Sequence, residues 1–394
     1  RCTVGAVRIL MAAWEYPPVL LGGEGSLIAG LATELARDGH DVVVISPRHT
    51  GHMPEDTEID GVRVLRAEVD LPWIPADDQV AAVSSANHRL VGMASVLRGW
   101  TPDVVHVHDW RTAWVGDVFS RLWDVPLVAT LHGTERERHG GHLPPGSATT
   151  INSVEWWLAE RADAVVCCSA FMRRAVLDDF ELHPDHVHLI PNGVNPALWA
   201  PPDDSIPREP LVVAWGRVRY EKGFQALANA MALVRQRVPD VRCVIAGRGP
   251  YAPELQLQID VEAVGDVVQL AGYLDDQRLR QLLYRAGCAV IPSLHEPFGV
   301  VALEAMAAGA PIIAARTGGL AEIVADSEAG LLFEPGNVEQ LADRITTVLN
   351  DPELALSLHI GAARLLRDRY SWDAIARATS RVYAVARSAF RPAH

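Results

Sequence analysis

Short runs of aliphatic and β-branched residues recur along this chain, each followed by a stretch with helical spacing, and the series starts over once. In the first half the runs lie at 7–12, 41–45, 104–107, 127–130 and 164–167; in the second they lie at 211–214, 242–246, 267–270, 289–292, 311–314 and 330–333. Apolar runs without polar alternation suit parallel strands covered on both faces. Joined by right-handed crossovers through the intervening helices, they predict doubly wound parallel sheets and an α/β fold. Between the two series the chain reads Ile190-Pro191-Asn192-Gly193-Val194-Asn195 and then carries Pro201, Pro202, Pro207 and Pro210, the composition of a linker. The expected organisation is two similar α/β domains, 1–192 and 193–373, with the amphipathic stretch 374–394 returning to the first. Strand carboxyl ends of both would face a cleft between them, where open α/β sheets bind ligands.

Composition narrows the function classes. A chain of 394 residues is too long for one ordinary core, and its 49% apolar content is that of a globular protein. The formal charge of −14 opposes a nucleic-acid partner, which requires a basic face, yet leaves room for a phosphorylated metabolite held by a local cation cluster. No apolar run reaches the length of a transmembrane span, and the N-terminus enters a strand-like run without the pattern of a signal peptide. Of the five cysteines, Cys167, Cys168, Cys243 and Cys288 lie in or beside the strand runs; only Cys2 lies outside them, and no CxxC occurs. Neither a zinc site nor a disulfide framework is indicated, and reduced core thiols point to the cytoplasm. The sequence carries no signal for an oligomeric state.

Lys222 is the only lysine; every other member of the 35 basic side chains is arginine. It follows a strand in Gly216-Arg217-Val218-Arg219-Tyr220-Glu221-Lys222-Gly223. A compact ammonium and a planar guanidinium meet a phosphate differently, so Arg217 and Lys222 together suit a diphosphate. Further strand ends carry Gly247-Arg248-Gly249, a turn that admits close approach to the backbone, and Gly272-Tyr273. Another carries Glu296-Pro297-Phe298-Gly299-Val300-Val301, expected to open a helix that also bears Glu304. A helix N-terminus of this kind favours an anion through its free amides and dipole. Glu296 and Glu304 can accept hydrogen bonds from sugar and ribose hydroxyls. Each of these residues alone reads more simply as a cap or a solvated charge; the whole set on serial strand ends reads as a binding site.

In the first half, Gly22-Gly23 stands between a strand and a helix, either a tight turn or an approach for phosphate. His106-Val107-His108-Asp109-Trp110 and His132-Gly133 end two further strands. The stretch 135–142, with His139 and His142, reads as a mobile polar loop rather than a metal site, which would need defined geometry. No Asp-x-Asp occurs, so neither a metal nor any other cofactor is expected, and side chains with a helix dipole would neutralise the diphosphate.

These residues resemble the retaining glycosyltransferases of family 4, whose GT-B fold has two Rossmann-like domains facing a cleft. The most specific matches are Gly216-Arg217 with Glu221-Lys222-Gly223, and the E-x7-E pattern from Glu296 to Glu304. The resemblance implies that Arg217 and Lys222 bind the donor diphosphate, Glu296 the donor sugar, and Glu304 the ribose. It brings the amides of Gly23, Gly299, Val300 and Val301 towards phosphate or sugar, makes His132 the active-site histidine, and puts Asp109 near the acceptor. Gly22, Gly247, Arg248, Tyr273 and Phe298 complete the implied donor site. His108-Asp109-Trp110 looks most like glycogen-synthase-type and actinobacterial α-1,4-glucosyltransferases. The implied reaction is metal-independent transfer of a hexose, glucose first, from a nucleoside-diphosphate sugar to an α-1,4-glucan or oligosaccharide. Typical bacterial glycogen synthases carry a lysine before the glycine pair, where this chain has Leu20 and Leu21, a departure that counts against ADP-glucose as donor and leaves UDP- or GDP-glucose open. Transfer of mannose or N-acetylglucosamine to a small or lipid-linked acceptor, or 2-epimerisation of a sugar nucleotide, are the alternatives.

Overall fold

The computed structural model describes residues 5–19, 23–49, 53–69, 74, 78–203, 206–325 and 328–391. It divides into two compact units, 1–193 with 372–394, and 194–371. The first unit holds strands β1 (Arg8–Ala12), β2 (Asp41–Arg48), β3 (Asp56–Ile59), β4 (Val62–Glu68), β5 (Val104–His108), β6 (Leu127–Leu131), β7 (Ala164–Cys167) and β8 (Val187–Leu189). They form one sheet in the order β3-β4-β2-β1-β5-β6-β7-β8. All neighbours pair parallel except β3 with β4. That hairpin departs from the expected all-parallel sheet. Its turn is Asp60-Gly61, both with positive φ (51° and 81°), the twist that two-residue hairpin turns require.

The second unit holds β9 (Glu209–Trp215), β10 (Arg242–Ala246), β11 (Val268–Gly272), β12 (Ala286–Ile291), β13 (Ile312–Ala315) and β14 (Gly330–Phe333). The order is β11-β10-β9-β12-β13-β14, parallel throughout. Both sheets are therefore wound outward from a first strand and then back across it. The order reverses between β1 and β5 in one unit and between β9 and β12 in the other, which is where doubly wound sheets bind ligands.

The central strands are sealed on both faces: Ile9, Leu10, Met11, Val44, Ile45, Val212, Val213 and Ala289 are essentially inaccessible. Each large aliphatic side chain so buried stabilises by about 1.5–3 kcal/mol. The helix Trp372–Ala389 belongs to the first core, packing Ile375, Ala376, Val382, Tyr383 and Ala386 among Val7, Ile28, Leu35 and Val104. Its first residue, Trp372, lies against Gly30 and Gly193, where a Cβ at either position would collide with the indole. Ser380 Oγ lies 3.1 Å from His40 Nε2, and the Tyr383 hydroxyl 2.7 Å from His106 Nδ1, so polar contacts fix the same helix. Among the described residues no helix is long and apolar enough to cross a membrane.

Candidate active site

In the second unit the reversal point gathers the predicted residues. After β9 the chain makes a short helical turn, Tyr220–Lys222, ended by Gly223 with φ 70°. Leu294 donates its main-chain N–H to Glu221 O at 2.8 Å, tying this turn to the segment after β12. A Cβ on Gly223 would strike the carbonyl of Pro292, so only glycine lets the two segments approach. Lys222 Nζ then reaches Glu296 Oε2 at 2.7 Å, and Ser293 Oγ donates to the same oxygen at 3.1 Å. Glu296 is buried and Ser293 more so, while the lysine side chain keeps about a quarter of its surface (25%) accessible. The ammonium is thus anchored and still reachable.

Gly299 caps the helix Val300–Ala307 in the left-handed region, at φ 105°, with no side-chain cap on the first-turn amides. Ala302 N–H donates to the Gly299 carbonyl at 2.9 Å, and the Val300 and Val301 N–H groups retain their capacity for an anion. Glu304 lies one turn into this helix and accepts from Trp215 Nε1 at 3.2 Å. Burial pushes its carboxyl up to about 7, an effect the indole N–H opposes. Phe298 is buried and meets Tyr370 edge-on at 6.0 Å, a packing position. Arg217 is exposed after β9; Arg248 is exposed after β10, its guanidinium 5.8 Å from the ring centroid of Tyr273 after β11. Gly247, expected to admit a ligand to the backbone, has a second reason to be glycine: a Cβ there would strike the Gly216 carbonyl.

In the first unit the reversal point holds a different chemistry. Gly23 caps the helix Glu24–Arg37, and Gly25 donates its N–H to Glu15 Oε1 at 2.8 Å. Gly22 lies outside the described residues. Asp109, at the end of β5, sits in the left-handed region (φ 56°), a costly conformation for a non-glycine residue. Its Oδ1 accepts the main-chain N–H of His132 at 2.7 Å, joining the ends of β5 and β6. His106, His108 and His132 pack as a series, with centroid separations of 4.3 and 5.4 Å. His106 is satisfied at both nitrogens, 2.7 Å from the Tyr383 hydroxyl and 2.7 Å from Thr130 Oγ1. Burial pushes it down to about 3, drives His108 well below the ordinary imidazole range, and lowers His132 against the pull of Asp109. Glu24 is raised well above the carboxylate range by burial and by Asp109.

The stretch 135–142, expected to be a mobile loop, begins instead as a helical turn, Glu135–Arg138, capped by Thr134 through the Glu137 N–H at 3.2 Å. Buried Glu155 receives the Glu135 N–H on both carboxylate oxygens (3.0 and 2.9 Å) and is pushed up to about 8 by burial. Sequence reasoning missed Trp215, Ser293, Tyr383 and Glu155. Ser293 stands three residues before Glu296, the one spacing that pointed to it. Tyr383 and Glu155 come from helices whose amphipathic pattern reads only as packing.

The chain is similar in structure to sucrose-phosphate synthase from Thermosynechococcus elongatus, with a TM-score of 0.81 at 24% identity, covering 97% of this chain and 100% of that one. The two parallel-sheet units thereby share the GT-B fold. Residues 21–198 match the family model for glycosyltransferase family 4, and residues 201–364 that for glycosyl transferases group 1. Glycogen synthase of Mycobacterium tuberculosis H37Rv is 36% identical over 97% of this chain and 95% of its own length. The α-maltose-1-phosphate synthase of Mycolicibacterium smegmatis is 30% identical over 96% of this chain and 99% of its own. The chain belongs to the family-4 glycosyltransferases.

Proposed function

We propose that this protein transfers glucose from a nucleoside-diphosphate glucose to an α-1,4-glucan or oligosaccharide, with retention at the anomeric carbon and without a metal. The observation that carries the reading is the Lys222–Glu296 pair at the reversal point of the second sheet, beside a helix N-terminus without a side-chain cap. Relatives that make glycogen and maltose 1-phosphate support glucose as the hexose.

On this reading Arg217, Lys222 and the amides after Gly299 meet the diphosphate, and Glu296 accepts from the sugar hydroxyls. Glu304, already oriented by Trp215, accepts from the ribose. Lys222 must turn part of its charge from Glu296 to the phosphate as the donor binds, which leaves Glu296 Oε2 able to take a sugar hydroxyl. The bond from the anomeric carbon to the phosphate oxygen breaks while the acceptor oxygen bonds to the same face. The acceptor proton passes to the departing phosphate oxygen. Negative charge grows on that leaving group, so fixed donors aimed at it supply the largest stabilisation. His132 and Asp109 serve the sugar and acceptor side.

The test is a screen of UDP-, ADP- and GDP-glucose against maltooligosaccharides and glucose 1-phosphate in excess EDTA, with linkage and anomeric configuration read by NMR. An α-1,4-linked, lengthened oligosaccharide is expected. A product with inverted configuration, activity that returns only with magnesium, or an epimerised sugar nucleotide formed without acceptor would each refute it.

A further inference from the structure

His132 is held through two separate contacts. Asp109 fixes its main chain, and the ring stacks on His108 with an interplanar angle of 16° and His108 Nδ1 at 3.1 Å from His132 Nε2. Two imidazoles sharing one hydrogen bond hold complementary tautomers, since one nitrogen must give the proton and the other a lone pair. The remaining nitrogens, His108 Nε2 and His132 Nδ1, are buried atoms without a hydrogen-bond partner among the described residues. If His132 donated, the solitary N–H would be sealed on His108, a side chain only 1% exposed. If His108 donates, the lone pair is left on His108 and the N–H falls on His132 Nδ1, equally buried but on the residue whose main-chain N–H the Asp109 carboxylate accepts. Either arrangement leaves one buried N–H, so the Asp109 charge decides: it acts on His132 and favours the proton on the ring nearer to it.

We propose that His108 is a positioning residue that donates Nδ1–H to His132 Nε2, thereby fixing His132 as the Nδ1–H tautomer and holding its ring in one orientation. His106 backs this arrangement. Its ring lies 4.3 Å from that of His108, and both its nitrogens are tied, one to Thr130 on β6 and the other to Tyr383 on the C-terminal helix. His108 therefore has a rigid wall behind it. His132 then carries its proton on Nδ1 and has no free basic nitrogen, Nε2 being taken up by His108. The inference rests on the role proposed above for His132, but its geometry can be read without turnover.

The experiment is ring-nitrogen NMR on the full chain labelled at histidine, with the His132 signals identified by their loss in His132→Gln. In the ligand-free wild type, His132 is expected to show a protonated Nδ1 and an unprotonated Nε2; the opposite pattern overturns the proposal, and no variant has to fold for that result. In His108→Phe, which keeps a ring but no donor, the two tautomers should mix and kcat should fall by about 10-fold or more, with donor KM changed less than about 3-fold. His108→Asn, whose amide N–H falls near the place of Nδ1, should restore a single tautomer and most of kcat. A His108→Phe protein with one His132 tautomer and wild-type kcat overturns the assignment. A wild type with the expected tautomer but no glucosyl transfer would sink only the functional reading.

Discussion

Arg217, Lys222 and Arg248 stand exposed or half-exposed after the strands of the second unit, whereas in the first His106 and His108 on β5, Glu24 at the start of its helix and Glu155 within the helix Ser147–Arg161 are buried groups with shifted protonation. Both units use the same part of the same kind of sheet. In the second, charge is kept near water, where an ammonium can exchange one anion for another without losing its solvation. In the first, burial favours the uncharged forms of these groups, and their hydrogen bonds to hydroxyls, to one another and to the main chain fix shape. A diphosphate asks for the former, a set of sugar hydroxyls for the latter. The difference shows that a doubly wound sheet supplies a place for a site while the side chains decide its electrostatics.

If mobile charge is the working principle of the second unit, removing it should cost most. Lys222→Ala and Glu296→Ala are each expected to lower kcat by about 10²-fold or more, the usual loss for one transition-state stabiliser. Lys222→Arg should recover little, because a guanidinium cannot reproduce a point ammonium on the buried Glu296 oxygen. Steady-state turnover checks all three, and near wild-type kcat in the alanine variants would erase the contrast between the units.

The first unit should reveal its buried groups through pH. Glu155 is raised to about 8 from an ordinary 4.5, so between those values the folded chain holds a proton the unfolded chain has lost, and stability falls as pH rises. His106, lowered to about 3 from 6.5, works oppositely: the unfolded chain gains a proton first as pH falls below 6.5, so stability drops toward acid. Above 6.5 the His106 contribution is flat, and Glu155 contributes a falling slope of at most about 1.4 kcal/mol per pH unit, in the same direction as the raised Glu24 and Glu304. Urea unfolding from pH 6.5 to 8 is expected to show that decline in the wild type, and Glu155→Gln should make it shallower. An unchanged slope would mean the carboxyl is ionised in the fold.

Tyr383→Phe should cost somewhat less, about 1–2 kcal/mol, by leaving His106 Nδ1 buried without its partner. Denaturant midpoints should fall with little change in donor affinity. A comparable rise in donor KM would show that the histidine series reaches the donor as well.

Much of this was legible in the sequence, for physical reasons. Strands buried on both faces write themselves as apolar runs, and β9 and β12 announce the second site because glycine, lysine and glutamate stand directly after them. The hairpin of β3 and β4 was missed because Asp56-Thr57-Glu58-Ile59 at a sheet edge has no apolar run, although Asp60-Gly61 carried its turn signal. The polar stretch 135–142 read as mobile because its anchor, Glu155, sits twenty residues further on, and no local pattern shows that one carboxylate takes the Glu135 N–H. His106 and Tyr383 meet across 277 positions, a distance that spacing rules cannot bridge.

The mildest expected effect sharpens the comparison at its solvent edge. Arg248 lies over Tyr273, a residue 64% exposed, so the pair is a water-bathed part of the candidate donor site. Exposed cation–π pairs contribute about 0.5–1 kcal/mol, and Arg248→Ala should raise donor KM by about 2–5-fold with kcat intact. If the pair acts as one platform, Tyr273→Ala should do the same and the double variant should be no worse than either single one. Additive losses would instead mean that arginine and tyrosine meet the nucleotide separately. Because an exposed cation is screened by salt, the Arg248 effect should also shrink as ionic strength rises, while the Lys222 effect, set on a buried carboxylate, should persist.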